Sequence, residues 1–320
     1  MSSERERRLN SSLHRAAAVA ARRYRSLPEV VGVGPGLRVQ GGVETGELCV
    51  QFLVRRKRAR PRRPVPRFVY ARDQRGAVDH HLKFPTDVIE VGQPELACGG
   101  GAPLVADFED GTITLIFRNR AESGNNAWYL LTCAHVASDL IDSPPSDPSL
   151  LGPSCVSTVP FAQTLKNSLP DRTRLAYDIA LARISAEARN ELGPNGLAAL
   201  DGLVSEDGAR LTGFLDPGEI RPSLEIRCQS GVSGAADGHL SWGPGLVDVL
   251  LDGSWLQLDD VYMTDIASQP GDSGGIVFSQ DEAVGLVFAR SDAGMSWLQP
   301  LESAVQHLAG LDPAFQLDVF

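Results

Sequence analysis

The segment Gln269-Pro270-Gly271-Asp272-Ser273-Gly274-Gly275 places a serine hydroxyl inside a glycine-rich turn, the setting that nucleophilic chemistry requires. A tight turn presents the hydroxyl and aims backbone N–H groups at one point. The N–H groups of Gly271 and Ser273 are the natural pair of oxyanion donors, and each such donor is commonly worth about 10²- to 10³-fold in rate. Gly274 and Gly275 let a neighbouring strand pass close by without Cβ crowding. By itself the same string also suits an ordinary turn.

A serine hydroxyl is a weak nucleophile until a base takes its proton, so a suitably placed histidine is the next requirement. Leu130-Leu131-Thr132-Cys133-Ala134-His135-Val136 puts His135 at the end of an apolar strand, beside small residues that leave room for the imidazole. The other histidines have poorer settings. His14 lies in a basic helical stretch, His80 and His81 in a polar connector, His239 in a Gly-rich turn and His307 near the C-terminus. The base in turn needs a carboxylate to hold its tautomer and stabilise the imidazolium. Asp178 opens the apolar run Ile179-Ala180-Leu181-Ala182, where an unpaired charge would be costly and a partner is expected. Asp171 is the weaker candidate, since no apolar strand follows it.

The elements that must position these residues are short strands. Strand-like runs recur at 112–118, 128–132, 179–184, 246–251, 275–278 and 284–289, which argues for an all-β barrel or sandwich. Pro300 opens 301–308, where Leu301, Ala304, Val305 and Leu308 have helical spacing, so one closing helix is expected. At the other end, residues 4–26 favour a basic helix with a largely solvated course, because its apolar face is mostly alanine. Residues 30–54 read as a hairpin turning at Gly41-Gly42. Gly32, Gly34 and Gly36 resemble a phosphate cradle, but no Gly-Lys-Ser/Thr follows and Pro35 removes a donor. The run Arg55-Arg56-Lys57-Arg58, with Arg60, Arg62, Arg63 and Arg67 among prolines, reads as an extended, solvated connector. Three stretches result: a basic helix (1–27), a small β-rich extension (28–97) and a β domain (98–320).

The 320 residues are 42% hydrophobic, enough for a sizeable core, and the net charge of −10 argues against general affinity for nucleic acid. That average hides an asymmetry. Residues 1–90 hold 19 Lys and Arg against 9 Asp and Glu, whereas residues 91–320 hold 11 against 31. The two parts should attract each other, within one chain or between copies of a homo-oligomer. Five scattered cysteines leave at least one thiol free and fit a reducing compartment. The apolar run 16–21 is too short for a signal core, and no stretch approaches the roughly 18 apolar residues a membrane span needs, so a cytoplasmic location is expected. Dispersed histidines and the lack of Cys-x-x-Cys give no metal-ligand spacing, and no cofactor is required.

The segments Thr132-Cys133-Ala134-His135, Asp178-Ile179-Ala180-Leu181 and Gly271-Asp272-Ser273-Gly274-Gly275, in that order, resemble those of the trypsin/chymotrypsin-like serine peptidases. The resemblance spans roughly residues 100–312. It implies a mainly β fold: a chymotrypsin-like double β-barrel, here with an N-terminal α/β extension and a C-terminal helix. It also implies endopeptidase activity on a protein or peptide substrate. A narrower similarity, carried by 30–34, 46–50, 86–92 and 284–289, is to bacterial trypsin-like proteins related to the plant narrow-leaf peptidases. Arg290 and Trp297-Leu298-Gln299-Pro300 depart from the usual pattern.

By the same correspondence Ala267 is the base of the primary specificity pocket, with Ser268, Ala289 and Arg290 around it. No carboxylate stands at 267, so small or apolar substrate side chains are expected, with Asp265 or Asp292 as alternative sources of basic preference. Asp272 occupies the position that in trypsin-like zymogens pairs with a newly cleaved N-terminus. Either it finds an internal partner, the preferred alternative, or activation involves cleavage near Gly99–Gly101. Two rival functions stay open: a catalytically inactive scaffold on the protease fold, and a protease gated through its basic N-terminal part by nucleic acid or an acidic partner.

Overall fold

The computed structural model describes residues 4–96 except 28 and 74, 111–118 except 113, 128–136 except 134, 155–159, 167–169, 172–175, 177–184, 210–251 and 254–311. Helix α1 (Glu4–Tyr24) leads into β1 (Val30–Gln40), β2 (Val43–Val54), β3 (Phe68–Arg72), β4 (Val78–Glu90) and β5 (Glu95–Leu96). Next come β6 (Leu115–Arg118), β7 (Trp128–Thr132), β8 (Cys155–Val159), β9 (Asn167–Leu169), β10 (Arg172–Leu175) and β11 (Ala180–Ile184). The C-terminal part holds β12 (Gly213–Phe214), β13 (Glu225–Ser230), β14 (Gly234–Leu251), β15 (Ser254–Thr264), β16 (Ile276–Ser279), β17 (Glu282–Arg290) and β18 (Ser296–Pro300). It ends in helix α2 (Leu301–Leu311).

The fold is mainly β, as the strand spacing implies. Strands β14-β13-β16-β17-β18-β15 are neighbours in that order, and β15 pairs back onto β14, closing a six-stranded antiparallel barrel. A second sheet runs β6-β7-β11-β8. β13 covers the first part of one β14 edge, and β1 takes up the part that follows. The barrel core gathers Leu258, Val261, Leu286, Phe288 and Trp297, each almost wholly removed from water. Helix α2 seals one end through Leu301, Ala304 and Val305.

The N-terminal part is built onto this barrel. Strand β1 pairs antiparallel with β14 (Gly32 opposite Val247), β2 pairs with β1, and β4 runs parallel to β2. The expected hairpin turns at Gly41 and Gly42, both at positive φ, which only glycine adopts cheaply. Gly34 has a different purpose from phosphate binding: a Cβ there would meet the Trp242 ring at 2.6 Å, so the glycine makes room for the indole. Helix α1 departs from its expected solvated course. Leu13, Ala16, Ala17, Ala20 and Ala21, at i, i+3, i+4 spacing, are buried against Val50, Phe52 and Val69. Small alanines let the helix axis approach the sheet closely, so the face is thin but fully used. Among the described residues no helix is long and apolar enough to cross a membrane.

Candidate active site

Strand pairing brings the base and the carboxylate together. Ala180 lies opposite Thr132 in the antiparallel β7–β11 pair, so the residues just before β11 meet those just after β7. Asp178 uses both oxygens on His135: Oδ1 accepts the His135 backbone N–H at 3.0 Å and Oδ2 accepts from ring Nδ1. One carboxylate therefore fixes both the backbone and the ring of the histidine. Nδ1 carries the proton in this arrangement, which leaves Nε2 as an acceptor facing Ser273 Oγ at 2.8 Å. Phe288 O lies 3.3 Å from the same hydroxyl.

The carboxylate has its own support. Gln299, wholly buried in β18, accepts the Asp178 N–H at 2.7 Å and donates Nε2–H to Asp178 O at 3.3 Å. A barrel residue thus anchors the strand entry on the other sheet. Nothing local in the sequence marks Gln299, which sits in an apolar strand.

The serine turn is held from several sides. Gly271 (φ 94°) and Gly274 (φ 92°) occupy left-handed backbone conformations that favour glycine. Thr112, fully buried, donates its N–H to Ser273 O at 2.6 Å and its hydroxyl to Gly271 O at 2.8 Å, and its Oγ1 accepts from Gly231 N at 2.9 Å. A Cβ at Gly274 would overlap the Thr112 carbonyl oxygen. Among the described residues, the N–H groups of Gly271 and Ser273 have no intramolecular acceptor, which leaves both free for an incoming oxyanion.

Asp272 has internal partners. Its Oδ1 accepts the N–H groups of Val232 (3.2 Å) and Ser233 (2.9 Å), and its Oδ2 accepts from Ser233 Oγ and from Gln269 N at 2.7 Å. The three donors from Val232 and Ser233 tie the serine turn to the β13–β14 connection, and Gln269 N closes the turn on itself. Asp171 and Gly99–Gly101 lie outside the described residues.

Of the residues expected to form a specificity pocket, Ala267 is exposed, Ser268 is half-buried and Ala289 is buried. Ser268 Oγ and Ile266 O each lie 2.7 Å from Ser296 Oγ. Asp265 is occupied elsewhere, accepting His239 N–H at 2.6 Å. Arg290 has a buried Nε without a hydrogen-bond partner. Cys133, His135 and Asp178 have donor atoms within 4.8 Å of one another and could hold a metal ion, but both ring nitrogens of His135 are already engaged and Cys133 Sγ donates to Val287 O at 3.3 Å.

No family model and no curated protein matches the chain. Among solved structures it is similar to a Nocardiopsis protease (15% identity, TM-score 0.39, covering 64% of this chain and 96% of that one). It is also similar to Thermobifida fusca protease A (16%, 0.40, 70% and 99%) and to a glutamic acid specific serine protease (17%, 0.38, 57% and 86%).

Proposed function

We propose that the chain is a serine endopeptidase that cleaves peptide bonds through an acyl-enzyme, with Ser273 as nucleophile, His135 as general base and Asp178 as its orienting carboxylate. The observation that carries this is the unbroken run of hydrogen bonds from Ser273 Oγ through both ring nitrogens of His135 to Asp178. In the acylation step Ser273 Oγ attacks the scissile carbonyl while its proton passes to Nε2. Asp178 stabilises the resulting imidazolium, and the Gly271 and Ser273 N–H groups receive the oxyanion. Nε2 then returns the proton to the leaving amine. Water repeats the cycle on the ester.

The four internal donors on Asp272 support a site that forms without cleavage. Ala267 supports preference for small or apolar side chains at the cleaved residue. Arg290, with its unpartnered Nε, favours a second alternative, an acidic side chain. A peptide library separates them, and cleavage only after Lys or Arg would defeat both. Buried Cys49, Cys133 and Cys228, none of them in a disulfide, support a reducing, cytoplasmic setting. The kinship with narrow-leaf peptidases and regulation through the N-terminal part are further elements of the proposal.

Fluorophosphonate labelling of the full chain is the direct test. Ser273 should label, and Ser273→Ala should abolish labelling and lower turnover by on the order of 10⁶-fold with the fold intact. A wild type that neither labels nor cleaves a broad peptide set would instead establish the inactive scaffold.

A further inference from the structure

We infer that the cleft beneath the basic segment 55–67 binds an acidic peptide segment carrying an apolar side chain. The cleft measures about 770 Å³, within the range of ligand pockets. Leu27, Val30, Val54, Val65 and Val88 supply its apolar surface. Arg56, Lys57, Arg58, Arg62 and Arg63 supply the cations around it.

The segment is tied down at both ends. Arg55 N–H donates to Glu29 O at 3.0 Å and Lys57 N–H to Glu90 Oε2 at 2.9 Å. At the far end Thr86 donates its hydroxyl to Pro66 O and its N–H to Arg67 O at 3.1 Å. Prolines at 61, 64 and 66 restrict the chain between these ties. The cations are therefore presented on a pre-organised arch, which lowers the ordering cost of binding.

Among the described residues, Glu29 is the one carboxylate lining the cleft beside these cations. Arg58 pairs with Glu29, inside the N-terminal part itself. Among the described residues no carboxylate pairs with Arg56, Lys57, Arg62 or Arg63. The excess positive charge of residues 1–90 thus remains available at this cleft to an outside anion.

The shape selects the partner. Several cations spread along the arch suit several carboxylates better than one headgroup. The apolar side chains line a concavity and do not project, so they cannot wedge into a bilayer. No aromatic ring lines the cleft, which removes the stacking surface that single-stranded nucleic acid uses. An extended acidic peptide with one leucine-sized anchor satisfies both the rim and the floor.

The test uses full-length Ser273→Ala protein, so that the probe is not cut and the outcome is independent of turnover. A fluorescein-labelled Glu-Glu-Leu-Glu-Glu peptide is titrated by anisotropy. Saturable binding is expected, weakened about tenfold by the double change Arg62→Glu/Arg63→Glu and similarly by replacing the probe's leucine with serine. Thermal melts check folding, and Arg62→Gln/Arg63→Gln serves as a milder pair. Failure to bind at about 100 μM, a concentration that would detect even weak association, overturns the inference. So does binding indifferent to either change. Preferential binding of phosphatidylglycerol vesicles or of an oligonucleotide, or self-association abolished by the charge reversal, would assign the cleft to a lipid surface, a nucleic acid or a second copy instead.

Discussion

At the scale of single residues, the proposed chemistry depends also on groups outside the Ser273–His135–Asp178 line. Thr112 holds Gly271 O and Ser273 O at once, the carbonyls of the peptides on either side of the Asp272–Ser273 peptide, so it braces the turn that carries the Ser273 N–H. Thr112→Val keeps the shape and removes the hydroxyl. It should lower kcat by about tenfold or more with little change in KM, and Thr112→Ser should restore most of the loss. Equal loss in both variants would mean that packing, not the hydrogen bond, matters. The cysteines give a second check. Burial pushes the Cys49 and Cys228 thiols up to about 12, so at pH 8 only about one molecule in 10⁴ is thiolate, the reactive form. Iodoacetamide at pH 8 should leave both unmodified in the native protein and modify both in urea, as peptide mass mapping will read.

At the scale of elements, α1 is a structural helix with a titratable group, His14, at the wall of a cleft beside β14. His14 keeps solvent exposure at a cleft beside β14, and partial desolvation there lowers its pKa, so the folded state takes up the proton at lower pH than the unfolded chain does near 6.5. The sign follows: the unfolded state binds more protons, so stability is complete above about pH 6.5 and declines as pH falls below it. Amide exchange in α1 should accelerate between pH 7 and pH 5 more than exchange in β17, and His14→Gln should flatten that difference. The serine turn is equally element-dependent. Gly274→Ala would force a Cβ into the Thr112 carbonyl at a positive φ, and should cost on the order of 2–4 kcal/mol with loss of activity.

At the scale of the whole molecule, the N-terminal strands share the barrel's core. Val31, Leu53 and Val91 belong to the same buried cluster as Leu286 and Trp297, and β1 is hydrogen-bonded to β14. Deleting residues 1–92 would strip β1 from the edge of β14 and expose apolar side chains of the shared core. The truncated chain should be insoluble or should melt without a cooperative transition, visible by calorimetry. A truncated protein with an unchanged melt would show that the barrel is complete alone. The charge asymmetry also resolves at this scale. Attraction between basic and acidic halves needs contact, yet among the described residues no carboxylate pairs with Arg56, Lys57, Arg62 or Arg63, while Arg55 lies over the Trp255 ring of β15.

What could be read without coordinates was local. The glycine-rich serine turn, the strand before His135 and the apolar run after Asp178 are each contiguous, and the strand-like runs at 128–132 and 284–289 fall in β7 and β17. The structure brings those three distant positions into one hydrogen-bonded line. Contacts made between strands had no such signature. Thr112, Gln299, the pairing of β1 with β14 and the burial of an alanine face depend on which surfaces meet, and a side chain's partner across a sheet leaves no mark in its own neighbours. The sequence by itself therefore determined which groups could do chemistry. Only tertiary packing decided what holds them in register and which charges stay unpaired, because both depend on distances between segments far apart in the chain.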